Sequence, residues 1–500
     1  MVLVYLIKFL YVLNIIVNNH YCKDYEKVLN YTYVDFERSL NMISKSTAEA
    51  VLLSAVSNGA EFAEIFVENN IKNTLGVVNG NVERANSGVD SGCGIRIING
   101  DRVVYVYTNK LDKDNLVRLA KESAEVIKGT SSIKNIVLCD KEYKKLYTPK
   151  IMPVDVKKSE IINMLKAGSS AAYGYNDLIT QTNISYLDST QNVIIANSEG
   201  LWAEDERVRT RVFVSAVASE GNEKQTGYFG PGALKGFEFY DTINIEEIAK
   251  EAARSAVTML KAENCPSGKM PVIMDNGFGG VIFHEACGHG LEAVAISKNA
   301  SVFANKIGQK IASDKLTAID DGTIAGSWGS INVDDEGIAS QKNILIENGV
   351  LKNYMVDRYN GSLIGMKPTG SSRRESYKYV PVSRMTNTYI AAGTDKKEDI
   401  IADTEYGLYA KYMGGGSVNP ASGDFNFAVS EAYIVRNGKI CEPVRGATLI
   451  GKGAEVLLNI DRISDNLALA EGMCGASSGS VPVCVGQPML RVQNITVGGR

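Results

Sequence analysis

The sequence predicts an α+β protein: N-terminal α/β lobes of helix–strands–helix order, followed by a large β-rich C-terminal domain. Three observations predict it. Apolar residues recur at helical spacing in four long segments, alternating β-like runs lie between them, and glycines crowd the second half of the 500-residue chain. A chain of this length exceeds what one hydrophobic core supports, so several domains are expected.

The first helix is Ser46 to Ser57, rich in Ala and Leu and stopped by Asn58-Gly59. β-like runs follow at Glu64 to Glu68, Thr74 to Val78, Gly94 to Ile98 and Val103 to Tyr107. Asn79-Gly80 and Asn99-Gly100-Asp101 punctuate them as hairpin turns. A helix from Asp112 to Lys128 closes this unit before Gly129. The same order then recurs: a helix at Val156 to Ala172, strands at Ile179 to Tyr186, Asn192 to Ile195 and Arg209 to Ala218, and a helix at Ile245 to Ala262. Beyond Cys265 the texture changes. A buried-looking strand, Met270 to Met274, leads into a Gly-punctuated helix, and strand and turn dominate after Ser330. Glycines such as Gly414-Gly415-Gly416, Gly451 and Gly475 predict a curved or closed β-sheet there. The expected organisation is an N-terminal extension over 1–45, α/β domains over 46–150 and 151–265, and a β-rich domain over 266–500.

Composition narrows the function. With 45% hydrophobic and 22% charged residues and a net charge of -4, the chain reads as an ordinary globular protein, and no basic run points to nucleic acid. The eight cysteines are scattered without a C-x-x-C pair, which in so long a chain indicates reduced thiols. Residues Met1 to Val17 are apolar apart from Lys8, but they lack a basic n-region and a small-x-small cleavage site. At about 17 residues the run sits at the short limit for a membrane span. It is read as a non-essential extension, with translated upstream sequence and a start near Met42 as the other account.

The chain has three histidines, and two fall in His284-Glu285-Ala286-Cys287-Gly288-His289. Histidine is the commonest metal ligand among side chains, and a carboxylate beside it is a ready general base. The zinc-protease helix spells H-E-x-x-H with its histidines on one face. Here the spacing is one longer, which places the two rings about 140° apart on a regular helix. A π-bulge near Gly288 would restore a shared face. The same six residues also suit a buried helix in which one histidine meets a backbone carbonyl and Glu285 faces solvent. A catalytic zinc site needs a third protein ligand and one open position. Two residues could supply it: Glu292, on nearly the same helix face, and Cys474, in a Gly/Ser-rich turn. The residues alone do not choose between them. Cys287 is read as packing.

Three other segments carry chemistry. Gly446 to Gly453 nearly spells a phosphate-binding loop but lacks its Ser/Thr and is rejected. Asp334-Asp335-Glu336 is read as a solvated turn before Gly337 in preference to a hard-metal cluster. Arg374, Arg384 and Asn387 lie in runs dense in planar polar groups. They could bind a peptide backbone or carboxylate, or satisfy buried sheet edges.

Taken together, the segments FHEACGHGLEA (Phe283 to Ala293), VDDEG (Val333 to Gly337), SSRRESY (Ser371 to Tyr377), RMTNTY (Arg384 to Tyr389) and CGASSGSVPVCVGQPMLRV (Cys474 to Val492) resemble the TldD/PmbA metalloprotease family, TldD branch. The likeness runs from roughly residue 46 to 500. It implies zinc held by His284, His289 and Cys474, with Glu285 as general base, and makes 266–500 the catalytic domain. The PmbA branch is similar in fold but lacks the histidine motif. The resemblance further implies a cytoplasmic protein acting on unfolded peptides and paired with a PmbA-like subunit; a homodimer is the other form considered.

The leading expectation is therefore a zinc peptidase for flexible peptides, with a β-rich domain able to hold an extended chain by strand addition. One rival is a metal-stabilised scaffold or peptide-binding subunit with little catalysis, which would suit a site closed by four protein ligands. Another is a thiol enzyme using Cys287 or Cys474, for which no Asn or Asp orienter is evident.

Overall fold

A computed structural model describes residues 42–127, 129–419 and 422–499. The N-terminal apolar run lies outside the described residues. Among those described, no helix is long and apolar enough to cross a membrane.

The first half is built on one long, mainly antiparallel sheet. Helix α1 (Lys45–Ala55) buries Ala48, Val51, Leu52 and Ala55, the i, i+3, i+4, i+7 stripe of an amphipathic helix. Strands β1 (Phe62–Val78) and β2 (Asn81–Asn99) form a hairpin through Asn79 and Gly80, both at positive φ, as a tight two-residue turn demands. The two short runs expected at 64–68 and 74–78 are thus one strand. Strand β3 (Arg102–Thr108) and helix α2 (Lys113–Ala124) follow, the helix capped by the Asp112 carboxylate, which accepts from the Asn115 N–H at 2.9 Å. After helix α3 (Lys158–Tyr173) come β4 (Ile179–Asn197), β5 (Leu201–Glu220) and β6 (Glu223–Phe229), and then helix α4 (Ile245–Leu260).

Strand order is β3-β2-β1-β4-β5, with β6 added to β5. Pairing of β1 with β4 runs from Glu64↔Asn197 to Val78↔Asn183. Strands from both expected α/β units therefore share one sheet. Its far portion packs Leu75, Val77, Ile184, Tyr186, Val212 and Val214 against α3 and α4. Nearer the C-terminal half, Phe66, Val193 and Ile195 meet Val333 and Tyr377.

That contact corrects the reading of Asp334-Asp335-Glu336. All three acids are buried. Arg96 bridges Glu64 and Glu336, Arg374 reaches Glu64 at 2.8 Å, and Arg207 pairs with Asp205 at 3.0 Å and Asp335 at 2.8 Å. Asp334 accepts from the N–H groups of Glu336, Ile338 and Ser372. Buried charges persist only when paired and hydrogen-bonded, and here arginines of the first sheet supply the partners. A turn rich in acids looks solvated in sequence because those partners lie more than a hundred residues away.

Among the described residues the second half holds two further large sheets and a two-stranded one, Ser372–Arg373 with Val382–Ser383. Strands β7 (Gly268–Met274), β11 (Tyr406–Val418), β12 (Asp424–Arg436), β13 (Thr448–Lys452) and β16 (Leu490–Gly498) pair in the order β11-β7-β16-β13-β12. β12 pairs again with β11, so the five close into a ring. Its interior collects Val272, Leu408, Phe425, Phe427, Leu449 and Val492. The rejected phosphate-loop match falls on β13, whose residues are ladder-paired to β12 and β16. A six-stranded sheet contains β9 (Lys342–Glu347), β8 (Ala318–Asp321), β10 (Asn387–Ile390), β15 (Gly479–Gln487) and β14 (Ala468–Ala476) in that order, with β14 at the edge.

Candidate metal centre

Helix α5 (Val281–Ala286) carries His284 and Glu285. Two glycine pairings seat it. A Cβ on Gly280 would lie 2.5 Å from the Gly486 nitrogen of β15, and one on Gly453 would lie 2.2 Å from the Ala286 carbonyl. Backbone therefore rests on backbone, which only glycine permits at such separations.

The helix does not continue to His289. It ends at Ala286, Cys287 leaves helical geometry at φ -131°, and a 3-10 turn spans Gly288–Leu291. The expected π-bulge is thus a break followed by a tighter turn. Both devices solve one problem: a regular helix would hold the two rings on different faces. Gly288 leaves room at the break for the Met385 side chain, whose sulfur would lie 2.3 Å from a Cβ there. Cys287 is buried as packing, and burial pushes its thiol upward.

The break brings the rings together. Their centroids lie 5.1 Å apart at 85°. Cys474, on edge strand β14 opposite Val481 of β15, reaches both: its Sγ is 3.2 Å from His284 Nε2 and 3.3 Å from His289 Nε2. All three potential ligand atoms lie within 4.8 Å of one another. Tetrahedral neighbours around zinc, at bond lengths of about 2.0–2.3 Å, are roughly 3.3–3.6 Å apart. Two imidazoles and a thiol at these separations fit zinc, whose ligands are nitrogen and sulfur.

The three groups are electrostatically coupled, the Cys474 sulfur as anion and the His289 imidazole as its cationic partner, whose proton a bound metal would replace. Burial by itself raises the Cys474 thiol, yet the charge of His284 and hydrogen bonds from both imidazoles outweigh it and bring the thiol down to about 4. Burial disfavours a charged His289, but the Glu292 carboxylate and the Cys474 sulfur outweigh that and push the imidazole up to about 11. The metal-binding form of a cysteine is its thiolate.

Glu292 stands on the other side of His289, with Oε2 3.1 Å from Nδ1. It is not part of the cluster of three potential ligand atoms. Cys474 joins the histidines; Glu292 holds one of them. Glu285, about one quarter exposed, has Oε2 3.8 Å from His289 Nε2. It therefore borders the same space as the ligand atoms.

Arg384 is fully buried and donates from Nη1 to Ser478 Oγ at 2.9 Å and Gly479 O at 2.8 Å, and from Nη2 to the Cys474 carbonyl. Its Nε faces Glu292 Oε1 at 3.9 Å. Arg374 is spent on Glu64 and the Asp335 carbonyl, and the Asn387 amide on the Asp321 carbonyl and Ser330. All three are internal struts, which corrects the expectation that they contact substrate. The planar groups that suit a peptide backbone suit buried strand edges equally well. Sequence reasoning missed the supporting role of Glu292, although its spacing of three from His289 was the available signal.

Two imidazoles and a thiol beside the Glu285 carboxylate make a candidate metal centre, and the proteins this chain is similar to are metallopeptidases. Residues 267–499, 152–260 and 63–127 match, respectively, the C-terminal domain, the central domain and domain 1 of the PmbA/TldA metallopeptidases. The chain belongs to the PmbA/TldD metallopeptidase family. It is 35% identical to a metalloprotease TldD homolog of Buchnera aphidicola, over 92% of this chain and 97% of the relative. To a Haemophilus influenzae metalloprotease TldD homolog it is 36% identical, over 88% and 93%. A relative from Saccharolobus solfataricus named a zinc metalloprotease TldD homolog shares 27%, over 88% and 97%. In fold the chain resembles TldE of Thermococcus kodakarensis, with TM-score 0.71 at 19% identity over 88% of this chain and 97% of that one.

Proposed function

We propose that this protein is a zinc peptidase that hydrolyses unfolded or flexible peptides, with His284, His289 and Cys474 as ligands and Glu285 as general base. The observation that carries the reading is the convergence of three ligand atoms within 4.8 Å, with the Glu285 carboxylate bordering them. Held by these three residues, zinc would supply Lewis acidity and a water of lowered pKa. Glu285, beside the ligand atoms, would serve as the general base that accepts a proton from the attacking water and passes it to the leaving amine. Glu292 keeps His289 Nδ1 occupied, so Nε2 turns to the ligand side.

Three protein ligands leave a fourth position for water, which favours catalysis over the scaffold rival with its closed site. The Cys474 sulfur between two imidazoles suits a nucleophile as well as a metal ligand, so the thiol rival is separated by chelation: a thiol enzyme keeps its activity when zinc is removed. Strand β14 stands at the sheet edge, where the carbonyls of Glu471, Gly472 and Cys474 already accept from Arg211, Trp328 and Arg384, so it offers an extended peptide little backbone to pair with. The reading includes a cytoplasmic setting and a PmbA-like homologous subunit, or a second copy of this chain, as partner.

Hydrolysis of an unstructured peptide by wild type, Glu285→Gln and Cys474→Ala, each with zinc quantified, tests the proposal. Glu285→Gln retains zinc and loses about 10²–10⁴-fold in rate, while Cys474→Ala loses zinc. Near-normal hydrolysis by Glu285→Gln contradicts it.

A further inference from the structure

A cavity of about 270 Å³ adjoins the metal-site segments. Val103 and Arg96 line it from the first sheet, Val294 and Lys298 from beyond the 3-10 turn, and Val382 and Ser477 from the second half. Three of these are close chain neighbours of residues already placed at the site. Val294 follows Glu292 by two positions, Val382 precedes Arg384 by two, and Ser477 follows Cys474 by three. One set of short segments thus carries both the cluster and the cavity wall.

The lining has a definite chemistry. Valines make much of the wall, and no carboxylate contributes to it. Arg96 is buried, its Nη2 spent on Glu64 and Glu336, while its Nε has no hydrogen-bond partner. The Arg96 charge is thus balanced inside the protein by two carboxylates. The volume falls just below the roughly 300–1,000 Å³ of clefts that enclose a whole small ligand, and so suits one side chain.

We propose that this cavity is a side-chain pocket of the peptide site, taking one uncharged apolar side chain of leucine or phenylalanine size. Lysine and arginine side chains are rejected, because their charge would enter a largely apolar wall beside the Lys298 ammonium, with no carboxylate in the lining. This inference rests on the peptidase reading and adds a substrate preference to it.

The test uses unstructured peptides identical except for one residue flanking the cleaved bond: Leu, Ala or Lys. The zinc-loaded wild type is expected to favour Leu over Ala and Lys by about tenfold or more in kcat/KM, the discrimination an apolar pocket supplies. Val103→Trp, which fills the cavity, brings the Leu-to-Ala ratio close to one. Val103→Asp, which adds the missing carboxylate, raises the Lys-to-Leu ratio at least tenfold. Unchanged ratios in both variants overturn the pocket while leaving the peptidase reading intact. Fluorescence anisotropy of labelled Leu and Ala peptides on zinc-loaded Glu285→Gln supplies a second readout, which needs no turnover. If the wild type cleaves nothing yet the Leu peptide binds about tenfold tighter and Val103→Trp abolishes that difference, the pocket stands and the peptidase reading falls.

Discussion

Glu292 Oε2 lies 3.1 Å from Nδ1 of His289, across the ring from the Nε2 that faces Cys474. A carboxylate in this position fixes the imidazole tautomer and its rotation, and it makes the opposite nitrogen a better donor to a metal. The other Glu292 oxygen faces Arg384 at 3.9 Å, and Arg384 donates to the Cys474 carbonyl. One short chain of polar groups therefore ties the second histidine to the strand that carries the cysteine.

Replacing Glu292 with Gln is expected to weaken zinc binding about 10–100-fold, as loss of such outer partners does. Competition against a calibrated chelator measures it. The same substitution combined with Arg384→Lys should be non-additive, since the two side chains face each other. Unchanged zinc affinity in Glu292→Gln would show that His289 needs no such support.

The seating of α5 yields a second expectation. Gly280→Ala forces a Cβ onto the Gly486 backbone, which cannot rotate away, and should cost about 1–3 kcal/mol. Gly288→Ala meets the flexible Met385 side chain, so Met385→Ala should partly rescue it, with a coupling of about 1 kcal/mol or more. Urea unfolding of the single and double variants measures both. Strict additivity of Gly288→Ala and Met385→Ala would deny that Met385 dictates the glycine.

Acid should weaken the fold through Glu431. This buried carboxylate pairs with Arg254 at 2.7 Å and Lys411 at 3.1 Å. Burial raises its pKa, but hydrogen bonds from Arg254 outweigh that and hold it below the ordinary carboxylate value. With the folded pKa depressed, the unfolded chain binds the extra proton first. The stabilisation is complete above the unfolded value of about 4.3 and is lost as pH falls through the folded one. Glu431→Gln should therefore be less stable than wild type by about 3 kcal/mol at pH 7, and the gap should close towards pH 3. A gap that stays constant with pH would contradict the assignment.

How much of this was legible in the sequence depended on how local its cause was. Helix α4, with Ile245, Ala249, Ala252, Ala256 and Leu260 buried, follows from spacing alone. The Asn79-Gly80 hairpin follows from the positive φ its two residues tolerate. The five-residue spacing of His284 and His289 signalled an irregularity, but its form did not follow, because Met385, nearly a hundred residues on, shapes the break at Gly288. The burial of Asp334, Asp335 and Glu336 was illegible for the same reason: Arg96 and Arg207 come from distant strands. Arg384 and Asn387 were visible as unusual residues, but which of two chemically similar partners they would meet, substrate or strand edge, is set by tertiary structure.

The central claim is that His284, His289 and Cys474 together hold one zinc ion. X-ray absorption at the zinc edge of the purified protein, with metal content measured on the same sample, tests it most directly. The account predicts one zinc per chain with one sulfur near 2.3 Å, two imidazole nitrogens near 2.0–2.1 Å and one further light ligand, and loss of the sulfur in Cys474→Ala. A zinc shell without sulfur, or one closed by Glu292 as a fourth protein ligand, would contradict it.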